Sequence, residues 1–122
     1  MNPAYGFVAA TVFLAVYGQL IVKWQLGKVG PIPSGTSARL DYLRHVVLNP
    51  WVISALLGAV VAAFAWIAAL SRLELSRAYP WTAASFVFIL VLSAVFFDET
   101  LTPLKITGAV LIVLGLIVGS LT

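Results

Sequence analysis

The chain has 122 residues, of which 62% are hydrophobic and only 9% are charged. Soluble domains carry about a quarter charged residues, so this composition excludes a globular domain that faces water. The formal net charge is +3, and the seven basic residues stand at the ends of apolar runs. We interpret these cations as topology signals and phosphate partners rather than as a nucleic-acid surface.

Four apolar runs follow one another along the chain. A helix rises about 1.5 Å per residue, so about 20 residues cross the hydrocarbon core of a bilayer. The runs predict an all-α membrane protein in which residues 1–122 form a single four-helix transmembrane domain. We expect the first run to be a span, because no basic segment precedes it and no small-residue cleavage site follows it. The predicted helices cover about residues 4–26, 50–71, 78–97 and 103–121.

The first helix closes with YGQLIVKWQ, residues 17–25. Lys23 is placed to reach the membrane surface, either simply as a snorkelling side chain or as a phosphate ligand. Gln19 lies about one turn deeper, where its amide needs a hydrogen-bond partner in a neighbouring helix or in a substrate.

A Gly/Pro/Ser loop and the stretch SARLDYLRHVVL connect the first two spans. Apolar residues at helical spacing predict a short amphipathic helix over about 37–48, lying in the membrane interface. It serves as a simple bridge between spans or as a lid or lipid contact. His45 stands alone there and indicates no metal site. The positive-inside rule weakly favours the cytoplasm for the side that holds Lys23, Lys28, Arg39, Arg44 and Lys105, opposite Arg72 and Arg77.

Local signals mark the starts of the later spans. Asn49 before Pro50 and Thr102 before Pro103 predict capped helix starts. In ELSRAYPWTAASF, Pro80 disfavours a helical Tyr79. A helix start at this point predicts free N–H groups directed toward Arg77 and Arg72, an arrangement suited to an anion. Tyr79, Thr82 and Ser85 follow as candidate substrate contacts, or as an interfacial belt.

The last predicted helix carries a face of small residues. Small residues let helices approach closely, and such packing stabilises helix association in lipid. We expect this face to pack against another helix, and a second copy of the same helix is a good candidate. The face consists of Gly108, Ile112, Gly115 and Gly119.

The spans contain no carboxylate. The only acids are Asp41, Glu74, Asp98 and Glu99, and all four fall in predicted links. A proton-coupled pump usually needs an ionisable group within the membrane. The sequence also holds no cysteine, no nucleophile–base pair, no metal cluster and no phosphate loop, so we expect neither an enzyme nor a cofactor.

The stretch from ALSRLELSRAYPWTAASF to the glycine-rich last helix resembles the closing half of the drug/metabolite transporter repeat. YGQLIVK is similar to the end of the first helix in small multidrug resistance proteins, and the four-span length also fits small multidrug resistance and EamA-like members. The closest likeness is to the small subunits that flip aminoarabinose-phosphoundecaprenol. One position departs from the drug exporters: they carry a glutamate three residues before the glycine that matches Gly18, where this chain has Ala15.

The resemblance implies a dimeric flippase for a polyprenyl-phosphate-linked sugar in the bacterial inner membrane. Its partners would be membrane lipid, the lipid-linked substrate and an identical or related small subunit, with an antiparallel pair as one arrangement. Two alternatives stay open: an exporter of small molecules, drugs or metabolites with the same fold, and a non-transporting partner of a membrane glycosyltransferase. We expect the substrate to contact Gln19, Lys23, Arg72, Arg77, Tyr79, Thr82 and Ser85.

Overall fold

A computed structural model describes residues 3–121, and every regular element in that range is helical. The prediction of an all-α protein is therefore confirmed for the described residues. Three helical segments are long and apolar enough to cross a membrane, and the last helix, with 17 residues, is shorter. The elements are α1 (Ala4–Val29), α2 (Thr36–Val47), α3 (Pro50–Leu70), α4 (Leu75–Ala78), a 3-10 turn (Tyr79–Ala83), α5 (Ala84–Phe97) and α6 (Pro103–Gly119).

Two of the predicted helix starts are capped as expected. The Asn49 side chain accepts a hydrogen bond from the Trp51 N–H at 2.9 Å, and Pro50 opens α3. Thr102 accepts from the Lys105 N–H at 3.2 Å, and Pro103 opens α6. The proline at each start lacks an N–H that would have no helical partner there.

The start of the third apolar segment differs from the prediction. Glu74 is extended, and α4 begins at Leu75 rather than near residue 78. Tyr79 is helical, with φ −60° and ψ −42°, contrary to the expectation that Pro80 disfavours this conformation. A proline within a helix cannot donate and crowds the carbonyl four residues earlier. The chain accommodates Pro80 by tightening to a 3-10 turn and then resumes as α5.

The start at Leu75 also corrects the expected anion arrangement. Arg77 lies within α4, whose first turn begins two residues earlier. The free N–H groups of this helix start therefore precede Arg77 instead of pointing toward it. With only four residues, α4 also contributes little dipole of its own.

The long helices form an open layer with α1 in its interior. α1 packs along most of its length against α3 and also contacts α5, and α6 packs against α5 and the 3-10 turn. Val8, Val12 and Val16 of α1 recur every four residues and are buried. Opposite them, α3 contributes small residues that permit close approach: an added Cβ on Gly58 would lie 3.7 Å from Leu14. The tightest packing is at the end of the layer where α1 begins, around Ala4, Ala69 and Ala78.

α6 forms one edge of this layer, and none of its residues is buried. Val110, Val113 and Leu114 face a gap toward α5, while the glycines lie on the other side of the helix. A Cβ added at Gly108, Gly115 or Gly119 would meet no atom within 4 Å. The described residues of this chain therefore leave space beside these three glycines, whereas Ile112 of the predicted small face is half-buried.

Candidate functional site

Gln19 lies in a groove between α1 and α3. The groove has a volume of about 310 Å³ and is lined mainly by small and aliphatic residues. The Gln19 side chain is exposed, and none of the described residues gives its amide a hydrogen bond. An unpaired amide costs several kcal/mol in hydrocarbon, so the groove presents a polar group that needs an external partner. Its lining comprises Leu14, Ala15, Gly18, Gln19, Val22, Ala55, Leu56, Ala59 and Ala62.

Ala15 lines this groove one turn before Gln19. The position at which small drug exporters would carry a glutamate therefore faces the same space as the Gln19 amide. Here that space is neutral, because alanine contributes only a methyl group. The groove offers hydrogen bonding through Gln19 but no charge for a cation and no group for proton exchange.

Basic and aromatic side chains surround the end of α1 nearest the groove. Lys23 is exposed one turn beyond Gln19. The Lys28 ammonium lies 4.2 Å from the centre of the Trp24 ring, a cation–π contact. Trp24 in turn meets Trp51 edge to face at 5.3 Å, which joins α1 to the start of α3. This end therefore combines positive charge with amphipathic rings, as membrane interfaces do.

Gln25 connects the end of α1 to the start of α3, although the sequence indicated no role for it. Its side chain is only 4% exposed, and its Oε1 accepts from the Asn49 amide at 3.0 Å. Asn49 uses its own oxygen to cap α3, so the two amides link the end of α1 to the start of α3. Within the described residues the Gln25 Nε2 has no partner. The capping signal at Asn49 was visible in the sequence, but its pairing with Gln25 was not.

Arg72, Arg77 and Tyr79 stand at the opposite end of the layer, and all three are exposed. Tyr79 packs edge to face on Trp66 of α3 at 6.2 Å. Trp81 does the same on Tyr5 of α1 at 6.5 Å. These ring contacts fix the 3-10 turn against both α1 and α3.

Thr82 and Ser85 are half-buried, and both hydroxyls donate to the helix backbone. Thr82 donates to the Tyr79 carbonyl and Ser85 to the Thr82 carbonyl, each at 2.6 Å. A hydroxyl that donates in this way keeps its acceptor lone pairs. The pair can therefore accept hydrogen bonds from a ligand's hydroxyl or amine groups.

The predicted site residues fall into two separate groups within one chain. Arg72, Arg77, Tyr79 and Thr82 lie at the level of Tyr5, and Gln19 lies about 21 Å further along α1 at the helical rise. Ser85 lies between the Trp81–Tyr5 and Phe88–Phe13 contacts, still well short of Gln19. One subunit therefore does not bring Gln19 and Lys23 to the second group.

All four acids lie outside the long apolar stretches and are exposed: Asp41 in α2 and the others in links. Asp98 ends α5 in the left-handed conformation with φ 54°, a role that aspartate tolerates. None of these carboxylates lines the Gln19 groove.

The long apolar helical segments are those of a multi-pass membrane protein. Comparison with known families agrees: the EamA-like transporter family matches residues 3–121, and the chain belongs to that family. The resemblance to the drug/metabolite transporters is thus confirmed.

Several curated relatives are named probable 4-amino-4-deoxy-L-arabinose-phosphoundecaprenol flippase subunit ArnF. The protein from Serratia proteamaculans (strain 568) is 30% identical over 114 residues, covering 91% of this chain and 87% of the relative. That from Pseudomonas aeruginosa (strain LESB58) is 31% identical over 121 residues, covering 96% and 85%. That from Yersinia enterocolitica is 33% identical over 115 residues, covering 92% and 89%. No solved structure matches the chain significantly.

Proposed function

We propose that this chain is one subunit of a dimeric flippase that moves a polyprenyl-phosphate-linked sugar across the bacterial inner membrane. The observation that carries the proposal is the Gln19 amide, which no described residue hydrogen-bonds and which lies in a small-residue groove beside the basic end of α1. The names of the relatives support the same substrate class.

In the proposed arrangement the chain crosses the membrane four times. α1, α3 and the segment from α4 to α5 are long enough to span, and α6 reaches about 26 Å at the helical rise. That length lies at the lower limit for a crossing. α2 then lies in the interface beside the start of α3.

A second subunit completes the site. It is either an identical copy or a related small chain, and we place it antiparallel to the first. That arrangement brings Lys23 of one subunit to the membrane face that holds Arg72 and Arg77 of the other. It also covers the glycines of α6, where an added Cβ would meet no atom of the described residues within 4 Å.

The chemistry follows from the residues at these two levels. Lysine and arginine bind phosphate oxygens by charge-assisted hydrogen bonds, so Lys23, Arg72 and Arg77 hold the lipid phosphate. Gln19, Tyr79, Thr82 and Ser85 provide hydrogen bonds for the sugar. The polyprenyl chain stays in the bilayer, so no sealed pore is required. Because no span holds a carboxylate, transport runs down a gradient that sugar-consuming enzymes maintain on the far side.

Flipping of a fluorescent polyprenyl-phosphate sugar in proteoliposomes tests this proposal. Loss of a charge-assisted hydrogen bond costs about 1.5–3 kcal/mol, so Lys23→Gln and Arg77→Gln should each lower flipping about 10- to 100-fold at limiting substrate. Lys23→Arg should retain most of it. Lys105→Gln is the matched control, because it removes one exposed cation outside the proposed site.

Unchanged flipping in both Lys23→Gln and Arg77→Gln would contradict the phosphate site. Substrate-dependent proton movement in the same vesicles would instead favour the small-molecule exporter. Co-purification with a membrane glycosyltransferase and no flipping by the wild-type chain would favour the non-transporting partner.

A further inference from the structure

The surface of α2 is divided into three faces. At the period of 3.6 residues per turn, side chains three or four positions apart share a face. One face packs on the rest of the protein, a second is apolar and exposed, and a third is polar and exposed. The packed face consists of Ala38, Tyr42 and Val46. The apolar exposed face consists of Leu40, Leu43 and Val47, and the polar exposed face of Ser37, Asp41 and His45.

The packed face fixes the rotation of α2 about its axis. Val46 is buried. The Tyr42 hydroxyl donates to the carbonyl of Gly30 at 2.7 Å. Gly30 ends α1 with φ +93°, a conformation that favours glycine. α2 is therefore tied to the end of α1, and its apolar face must point away from the helix layer.

The apolar face leaves too much hydrophobic surface uncovered to be stable in contact with water. Leu40 is 62% exposed, Leu43 48% and Val47 47%. Three such side chains in one stripe on a 12-residue helix favour burial in an apolar phase. α2 ends just before Asn49, which starts α3, so it lies level with the end of a membrane-spanning helix.

Two arginines border the apolar stripe, one on each side. Arg39 and Arg44 fall about 40° from its edges at 100° per residue. Both side chains are exposed. The Arg39 Nε donates a hydrogen bond to the Pro33 carbonyl at 3.2 Å. Their positions match the depth of phosphate groups when the stripe is immersed in acyl chains.

We propose that α2 is a binding surface for anionic phospholipid headgroups. The stripe of Leu40, Leu43 and Val47 enters the acyl region of one leaflet, and Arg39 and Arg44 bind lipid phosphates on either side of it. The charge selects lipid over a second copy of this face, since two such faces would bring like charges together. This surface goes beyond the proposed transport activity, because none of its residues lines the Gln19 groove.

A fluorescent label measures this contact directly. The chain has no cysteine, so Leu43→Cys and Asp41→Cys each provide a single site for a bimane probe in the full-length protein. The vesicles contain phosphatidylcholine and phosphatidylglycerol in equal parts, with one or the other lipid brominated as a quencher. Aqueous iodide is the third quencher, and no transport is required for the readout.

The position 43 probe should be quenched by brominated lipid and protected from iodide, and the position 41 probe should show the reverse. Brominated phosphatidylglycerol should quench position 43 more strongly than brominated phosphatidylcholine. One cation near an anionic surface contributes about fivefold in lipid association, so Arg39→Gln and Arg44→Gln should each lower this preference up to about fivefold. Lys105→Gln should leave it unchanged, and far-UV circular dichroism checks that each variant is folded.

Equal iodide quenching at positions 41 and 43 would overturn the proposal, because the stripe would then lie in water. Protection of position 43 from all three quenchers would also overturn it and would assign the face to a protein partner. Equal quenching by the two brominated lipids would also overturn the proposal, because α2 would then have no preference for anionic lipid. Each outcome is independent of whether the protein flips a lipid-linked sugar.

Discussion

At the scale of single residues, the joint between α1 and α3 depends on two amides. Asn49 caps α3 with its oxygen and donates its nitrogen to Gln25. The cap could be predicted, because Asn before Pro is a local pattern. The pairing could not, since it depends on where two helices meet and Gln25 lies 24 positions earlier in the chain.

The two amides should therefore be energetically coupled. Asn49→Ala removes a cap worth about 1 kcal/mol and leaves the buried Gln25 oxygen without its donor, at a further cost of about 1 kcal/mol. In a Gln25→Leu background, Asn49→Ala should cost only the lost cap, about 1 kcal/mol. Unfolding in mixed detergent, followed by tryptophan fluorescence at the Trp24–Trp51 contact, measures both free energies. Equal losses in the two backgrounds would mean that the amides act independently.

At the scale of helices, α3 presents different faces to protein and to lipid. Gly58, Ala62 and Ala69 pack toward the rest of the chain. The start of the third segment was harder to predict. Pro80 led us to predict a helix start here, whereas the segment is already helical from Leu75. The ring contacts of Tyr79 and Trp81 hold the residues around Pro80 against α3 and α1, and such contacts depend on tertiary structure.

Substitution on the packed face of α3 should be costly. Ala69 is fully buried in the cluster with Ala4 and Ala78, so Ala69→Leu should lower the free energy of unfolding by about 1–3 kcal/mol through overpacking. Ala63→Leu adds the same atoms to an exposed position of the same helix and should change stability by less than about 0.5 kcal/mol. Similar losses in the two variants would indicate that α3 has no preferred packing face.

At the scale of the whole molecule, the open layer explains why one subunit does not assemble the predicted site. α1 lies between α3 and α5, and α6 is left at the edge with no buried residue. The sequence predicted the helices well because each is encoded by a continuous apolar run. It also placed Lys23 on the side opposite Arg72 and Arg77. It did not predict the order of the helices in the layer, because that order depends on packing between distant segments.

The open space beside the glycines of α6 makes the oligomer testable separately from the fold. Gly115→Leu should not disturb the subunit, since a Cβ at this position meets no atom within 4 Å and leucine favours helix over glycine by up to about 1 kcal/mol. It should nevertheless block close approach of a second helix and weaken dimerisation at least about tenfold, because small residues allow helices in lipid to pack tightly. Energy transfer between labelled subunits, measured as the vesicles are diluted with lipid, gives the dissociation constant.

Val118→Leu is the control for this experiment. Val118 is exposed on α6 about 90° from the centre of the glycine face, so its enlargement should leave dimerisation nearly unchanged. Equal dissociation constants for wild type and Gly115→Leu, with intact secondary structure, would exclude α6 as the contact. The Gln19 groove would then be the next surface to test for contact with the second subunit, because its amide needs a hydrogen-bond partner in the hydrocarbon.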